Sequence, residues 1–241
     1  LVALGGLNMI LTAGLYFWAI RPARDAVAAP PPRDAPPPLQ GRTAVAWAVR
    51  RPVFWLLAFA FVAFTATFSA FSFHIYPLLL ERGMATASVV TVISVIGPAQ
   101  VLGRIAIWVL APTAPVRTVG SLIVAIFPLA LIAFAALPAE LAVLVVVAAF
   151  WGAANGIMTI VRGLAVPEML SRQAYGAING ALTAPSLVAM ALAPLAAAAL
   201  WSATGSYDAV LLALIGGATV LALGFWTAAA ISRRPGQGVQ D

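Results

Sequence analysis

Cysteine and lysine are both absent from this 241-residue chain. Without cysteine there are no disulfides, no thiolate metal sites and no cysteine nucleophile, and the redox compartment is unreadable. Charge of either sign is scarce. Only 8% of residues are charged, seven of them acidic, where a soluble domain uses about a quarter to stay wetted. A soluble globular domain is thereby excluded, and 63% hydrophobic content with a mean hydropathy of +1.04 marks an integral membrane protein. No clustered metal ligands, no phosphate-binding glycine loop and no hydrolase-like serine setting are present, and the single histidine lacks a positioned partner for a dyad. No catalytic residue, metal or cofactor is expected, and the chain does not read as an enzyme.

What is present is long apolar runs. Crossing roughly 30 Å of hydrocarbon takes about 20 residues, and seven runs suffice: Leu1 to Ile20, Val53 to Leu80, Ala87 to Leu110, Thr118 to Leu137, Leu141 to Val161, Ala174 to Leu200 and Ala209 to Ile231. Their length and Leu/Ala content exclude barrel strands of about ten residues. The predicted fold is all-α and polytopic, with one helix followed by a bundle of six. Connections within the bundle are short, so successive helices are antiparallel.

The net charge of +6 is carried entirely by arginine. If the chain alternates across the bilayer, Arg21, Arg24, Arg33, Arg42, Arg50, Arg51, Arg104, Arg117, Arg162, Arg172, Arg233 and Arg234 share one face and Arg82 alone marks the other. The positive-inside rule makes the crowded face cytoplasmic. The expected organisation is a first span over 1–20, a cytoplasmic linker over 21–51, a six-helix bundle over 52–231 and a cytoplasmic tail over 232–241, in the plasma (inner) membrane. The basic balance reports loop topology, and no nucleic-acid partner is expected.

The linker contains "APPPRDAPPPLQGR" (29 to 42), with six prolines. Proline denies it helix and arginine denies it burial, which suits a wet cytoplasmic tether. As a coil of about thirty residues it spans roughly 30 Å. A polyproline recognition tract is the alternative. The first run begins at Leu1 with no basic segment before it, unlike a signal peptide. It reads as an internal helix, and the expected protein is longer, with an N-terminal half before this chain.

Three stretches carry a family resemblance: "FHIYPLLLERGM" (73 to 84) leading into "GPAQVLGRI" (97 to 105), "RGLAVPEMLSRQAYGAINGAL" (162 to 182) and "TGSYDAVL" (204 to 211). In order and side they resemble the C-terminal half of a major facilitator superfamily transporter, with the last helix of the N-terminal half attached. The resemblance implies a secondary transporter that moves a small solute by alternating access, in a lipid bilayer, together with a missing six-helix half. A non-transporting sensor, scaffold or assembly partner of the same fold is the alternative. In the family the Gly-Arg at Gly103 and Arg104 is often followed by an acid and a basic cluster that latch helix ends. Here only Arg117 follows, so that charge relay is not expected in this half.

Polar residues inside hydrocarbon are costly unless they face a bundle interior or a wet cavity. Thr65, Ser69, Ser72 and Tyr76 fall on one face of the second span, the leading cavity stripe, although such residues also bond to their own backbone or cement helix contacts. In the fifth span Trp151, Asn155, Met158 and Arg162 share a face, with Thr159 at its edge. The resemblance implies that these two helices line the solute path, with Gln100 of the third span deep enough to meet solute. His74 is either a proton-linked outer switch or an interfacial residue. Gly103, Arg104 and Arg162 are assigned to a cytoplasmic gate. All seven acids lie in expected loops, boundaries or tail, so a proton-coupling carboxylate is expected in the missing half.

Overall fold

The computed structural model describes Gly6, Met9, Ile10, Thr12 to Gly14, and Gly41 to Ser232. The chain divides into units over 1–37 and 38–241. The described residues of the first unit are helical; the remainder of the predicted first span, the proline tract and nearly all of the tail lie outside the described residues. Everything below concerns the second unit.

Among its described residues seven helices follow one another: α1 (Gly41–Val49), α2 (Pro52–Glu81), α3 (Thr86–Leu110), α4 (Val116–Ala136), α5 (Leu141–Met169), α6 (Tyr175–Thr204) and α7 (Tyr207–Ile231). α2 to α7 are each long and apolar enough to cross a membrane. Their ends carry local signals. Pro52 occupies the first turn of α2, where its missing N–H is no loss. Gly205 closes α6 at φ +69°, a left-handed conformation that glycine adopts without steric cost. Ser206 then caps α7 by accepting from the Asp208 backbone N–H.

Two boundaries differ from the sequence reading. Residues 41–49, expected as part of an unstructured linker, form α1, which packs on α2 and α6. This stretch contains no proline and places Ala44 and Ala48 four residues apart, both fully buried. Arg51 lies 4.8 Å over the Trp47 ring and the Trp55 indole donates to the Val49 carbonyl at 2.8 Å, fixing the turn into α2. In addition, α5 continues eight residues beyond the expected Val161, carrying Arg162 and Glu168 into the helix.

Packing within the bundle follows a simple rule. α2 packs against α6 and α7, α5 packs against α3 and α4, and α4 packs against α7. Exchanging α2 with α5, α3 with α6 and α4 with α7 leaves these pairings unchanged. The contacts of the two three-helix units, α2 to α4 and α5 to α7, thus repeat under this exchange, a pseudo-twofold relation. Equivalent elements are three places apart, so where successive helices alternate in direction the second unit is inverted relative to the first. Burial follows the same exchange: in the most apolar stretch of each helix 61% of residues are buried in α2 and 56% in α5, against 17% in α3 and 6% in α6.

Where α2, α4 and α5 meet, the centre is aromatic. The Phe71 ring lies tilted 4.6 Å from Trp151 and 5.1 Å from Phe134, while Phe127 lies 5.2 Å from both Phe64 and Trp151. Such pairs contribute about 0.5–1.5 kcal/mol each beyond their burial. The α3–α5 seam is built on glycine instead. A Cβ on Gly103 would collide with the Ala153 backbone, one on Gly152 with Ile96, and one on Gly156 with Gln100. Small residues let two backbones approach, which is what drives helix pairing where lipid removes the hydrophobic incentive.

Candidate functional site

Most of the α2 stripe serves its own helices. Thr65 is buried and donates to the Phe61 carbonyl at 2.8 Å; Ser72 is exposed and donates to the Phe68 carbonyl at 2.7 Å. Ser69 reaches across to α6, donating to the Met190 carbonyl at 2.7 Å. That carbonyl is four residues before Pro194, whose missing N–H leaves it without a helical partner. Ser69 thus completes a broken ladder, the arrangement by which membrane helices tolerate proline. Tyr76 is exposed near the end of the same helix.

His74 joins three helices. Its Nε2 lies 3.0 Å from the Pro194 carbonyl oxygen, and its Nδ1 lies 3.0 Å from the Tyr207 hydroxyl. A carbonyl only accepts, so Nε2 carries the proton, and in the neutral ring Nδ1 accepts from Tyr207. Two turns onward, Glu81 receives the Tyr207 backbone N–H at 2.7 Å and the Trp201 indole N–H at 3.0 Å. A carboxylate at the start of α7 complements the dipole of that helix.

The opposite, arginine-rich end repeats the device. Glu168 receives the Val116 and Arg117 backbone N–H groups at 2.6 and 3.0 Å and the Arg117 Nε at 3.0 Å. Glu81 ends α2 and caps α7; Glu168 ends α5 and caps α4. The two acids exchange under the pseudo-twofold. An acid for Arg117, absent from the α3–α4 turn, is supplied by α5, and Arg104 takes no part in the pair. The pairing is invisible in sequence because 51 residues separate the partners.

Along α5, Trp151 and Met158 are core residues with 1% and 0% exposure. Asn155 is buried between them, and its amide makes no hydrogen bond among the described residues. Gly103 serves the α3–α5 seam. Arg104 is exposed and donates through Nε to the Gly156 carbonyl at 3.3 Å, and Thr159 donates to the same carbonyl at 2.7 Å. The backbone of Gln100 lies against Gly156, and the residue is partly exposed.

Arg162, like Asn155, makes no hydrogen bond among the described residues. It is partly buried, with its guanidinium 5.5 Å from the Phe61 ring and 5.6 Å from the Phe64 ring of α2. It lines a cavity of about 210 Å³ together with Phe61, Thr159, Gly163, Asn179 and Thr183. This polar cavity is where α2, α5 and α6 converge toward the arginine-rich end. Of the residues singled out from sequence, it brings together Thr159 and Arg162 and leaves out the α2 stripe.

No protein-family model matches the chain, and no curated protein matches it. The reading of the site rests on its own geometry. Asn179 and Thr183 are the residues that sequence reasoning missed. Their four-residue spacing on α6 was the available signal, hidden because "GAING" reads first as a small-residue packing stretch.

Proposed function

We propose that this bundle is one half of a secondary transporter of the major facilitator type, which moves a small solute across the plasma (inner) membrane by rocking against a second bundle. The observation that carries the reading is the exchange relation of the helices. Inverted three-helix repeats, with broken helices near their interface, are the architecture on which alternating access is built. Burial supports it as well: α3 and α6, which exchange under the pseudo-twofold, bury few of their residues within the bundle. The Glu81 and Glu168 clamps tie each repeat to the other at opposite ends, so the bundle is suited to move as one body. Pro98, Pro185 and Pro194 interrupt α3 and α6, where bending changes access without disturbing the aromatic centre. The solute position is the Arg162 cavity.

The test is flux. The protein with both bundles present, in sealed vesicles, is assayed for saturable counterflow of a panel of radiolabelled sugars, amino acids and carboxylates. Saturable exchange of at least one solute, reduced tenfold or more by Thr183→Val with membrane insertion intact, supports transport. Absence of flux across the panel with correct insertion overturns it in favour of a scaffold or sensor.

A further inference from the structure

Resting on the transport reading, we infer that the Arg162 cavity takes a small monocarboxylate, its carboxylate on the guanidinium and its apolar body against Phe61. Arg117 pairs with Glu168, Arg104 donates to the Gly156 carbonyl, Arg82 donates to the Leu137 carbonyl and Arg51 lies over Trp47. Arg162 makes no hydrogen bond and no ion pair with any described residue. Of the acids among the described residues, Glu168 is engaged by Arg117 and two backbone amides, and Glu81 by Tyr207 and Trp201. None lines the cavity.

Position is set without spending donors. The Phe61 and Phe64 rings hold the cation through their faces, a contact that leaves the N–H groups free to point elsewhere. A planar guanidinium fixed in this way matches a carboxylate with two parallel bonds, which a lysine ammonium does not. Asn179 and Thr183 line the same cavity and make no hydrogen bond among the described residues, so an amide N–H₂ and a hydroxyl remain to complete the oxyanion's shell.

The chemistry of the ligand follows by elimination. A cation meets an uncompensated like charge. A neutral sugar leaves that charge unpaired in a partly dry site, which is expensive. A doubly charged phosphate ester meets only one lining cation. What remains is a singly charged oxyanion. A cavity of about 210 Å³ holds about seven waters' share of liquid volume, so the ligand is small. A phospholipid headgroup offers the same charge, but its diacyl tail has no counterpart in this polar lining, and a soluble carboxylate is the source that fits.

The experiment uses benzoate as probe and the full chain in phosphatidylcholine nanodiscs, with binding read by calorimetry. The expected result is saturable benzoate binding, weakened at least tenfold by Arg162→Gln and severalfold by Asn179→Ala, with Arg162→Lys intermediate and neutral benzamide unable to compete. Nanodiscs containing phosphatidylglycerol give the same benzoate affinity. Three results overturn the inference: no benzoate binding, binding indifferent to both Arg162→Gln and Asn179→Ala, or Arg162-dependent displacement of benzoate by phosphatidylglycerol, which reassigns the site to lipid. The two readings fail separately. Flux of a sugar or amino acid without benzoate binding leaves transport standing and removes the carboxylate; benzoate binding without flux of any panel solute does the reverse.

Discussion

At the scale of single residues, the polar groups of this bundle divide into those that repair backbone and those that await a ligand. Ser69 is the clearest repair. Its hydroxyl serves the Met190 carbonyl that Pro194 leaves open, so Ser69→Ala should cost about 1 kcal/mol, seen as a fall of roughly 2–4 °C in Tm for a chain of this size. The sharper expectation concerns coupling. In a Pro194→Ala background the residue-194 amide regains its N–H and satisfies Met190 itself, so Ser69→Ala should become nearly neutral there. A double-mutant cycle on detergent-solubilised protein measures this; additive effects would mean that the serine does something other than mend the proline break. The same distinction limits what the α2 stripe says in sequence. Four-residue spacing places Thr65, Ser69, Ser72 and Tyr76 on a common face, but spacing says nothing about whether a hydroxyl turns inward to its own helix, as those of Thr65 and Ser72 do.

At the scale of elements, hydropathy and length locate six spans to within a few residues at most ends, because the penalty for exposing backbone in lipid leaves no alternative to helix. Tertiary effects account for the rest. α1 forms because Ala44 and Ala48 find a surface to bury against, and α5 runs past Arg162 because Glu168 is needed at the start of α4. Neither partner is visible from the local sequence. Glycines show the same limit, since composition cannot separate a seam glycine from a spare one. Gly156 faces the Gln100 backbone, whereas a Cβ on Gly216 would meet nothing within 4 Å. Gly156→Ala should therefore destabilise by about 1–3 kcal/mol or force α3 away from α5. Gly216→Ala should be neutral or gain up to about 1 kcal/mol from helix propensity. Thermal unfolding of the two variants side by side decides it, and equal effects would sink the close-packed seam.

At the scale of the whole molecule, the pseudo-twofold relates the helices but cannot say which end faces the cytoplasm, because an inverted repeat looks alike from both sides. Charge breaks that symmetry. Among the bundle arginines, Arg104, Arg117, Arg162 and Arg172 lie toward one end and Arg82 lies at the other, and the cost of translocating arginine-bearing loops sets orientation. If the crowded end is cytoplasmic, the Arg162 cavity lies toward the cytoplasm and the His74–Tyr207 contact toward the outside. The absence of native cysteine makes this directly measurable, since one introduced thiol is the sole site for a maleimide. Gln173, between α5 and α6, and Ser202, near the far end of α6, are both exposed. A membrane-impermeant maleimide added to intact cells should label Ser202→Cys and spare Gln173→Cys, and inverted vesicles should reverse the pattern. Labelling of Gln173→Cys from outside would turn the molecule over and place the carboxylate cavity on the extracellular approach. Labelling of both positions from one side would break the alternation of spans on which the inverted repeat depends.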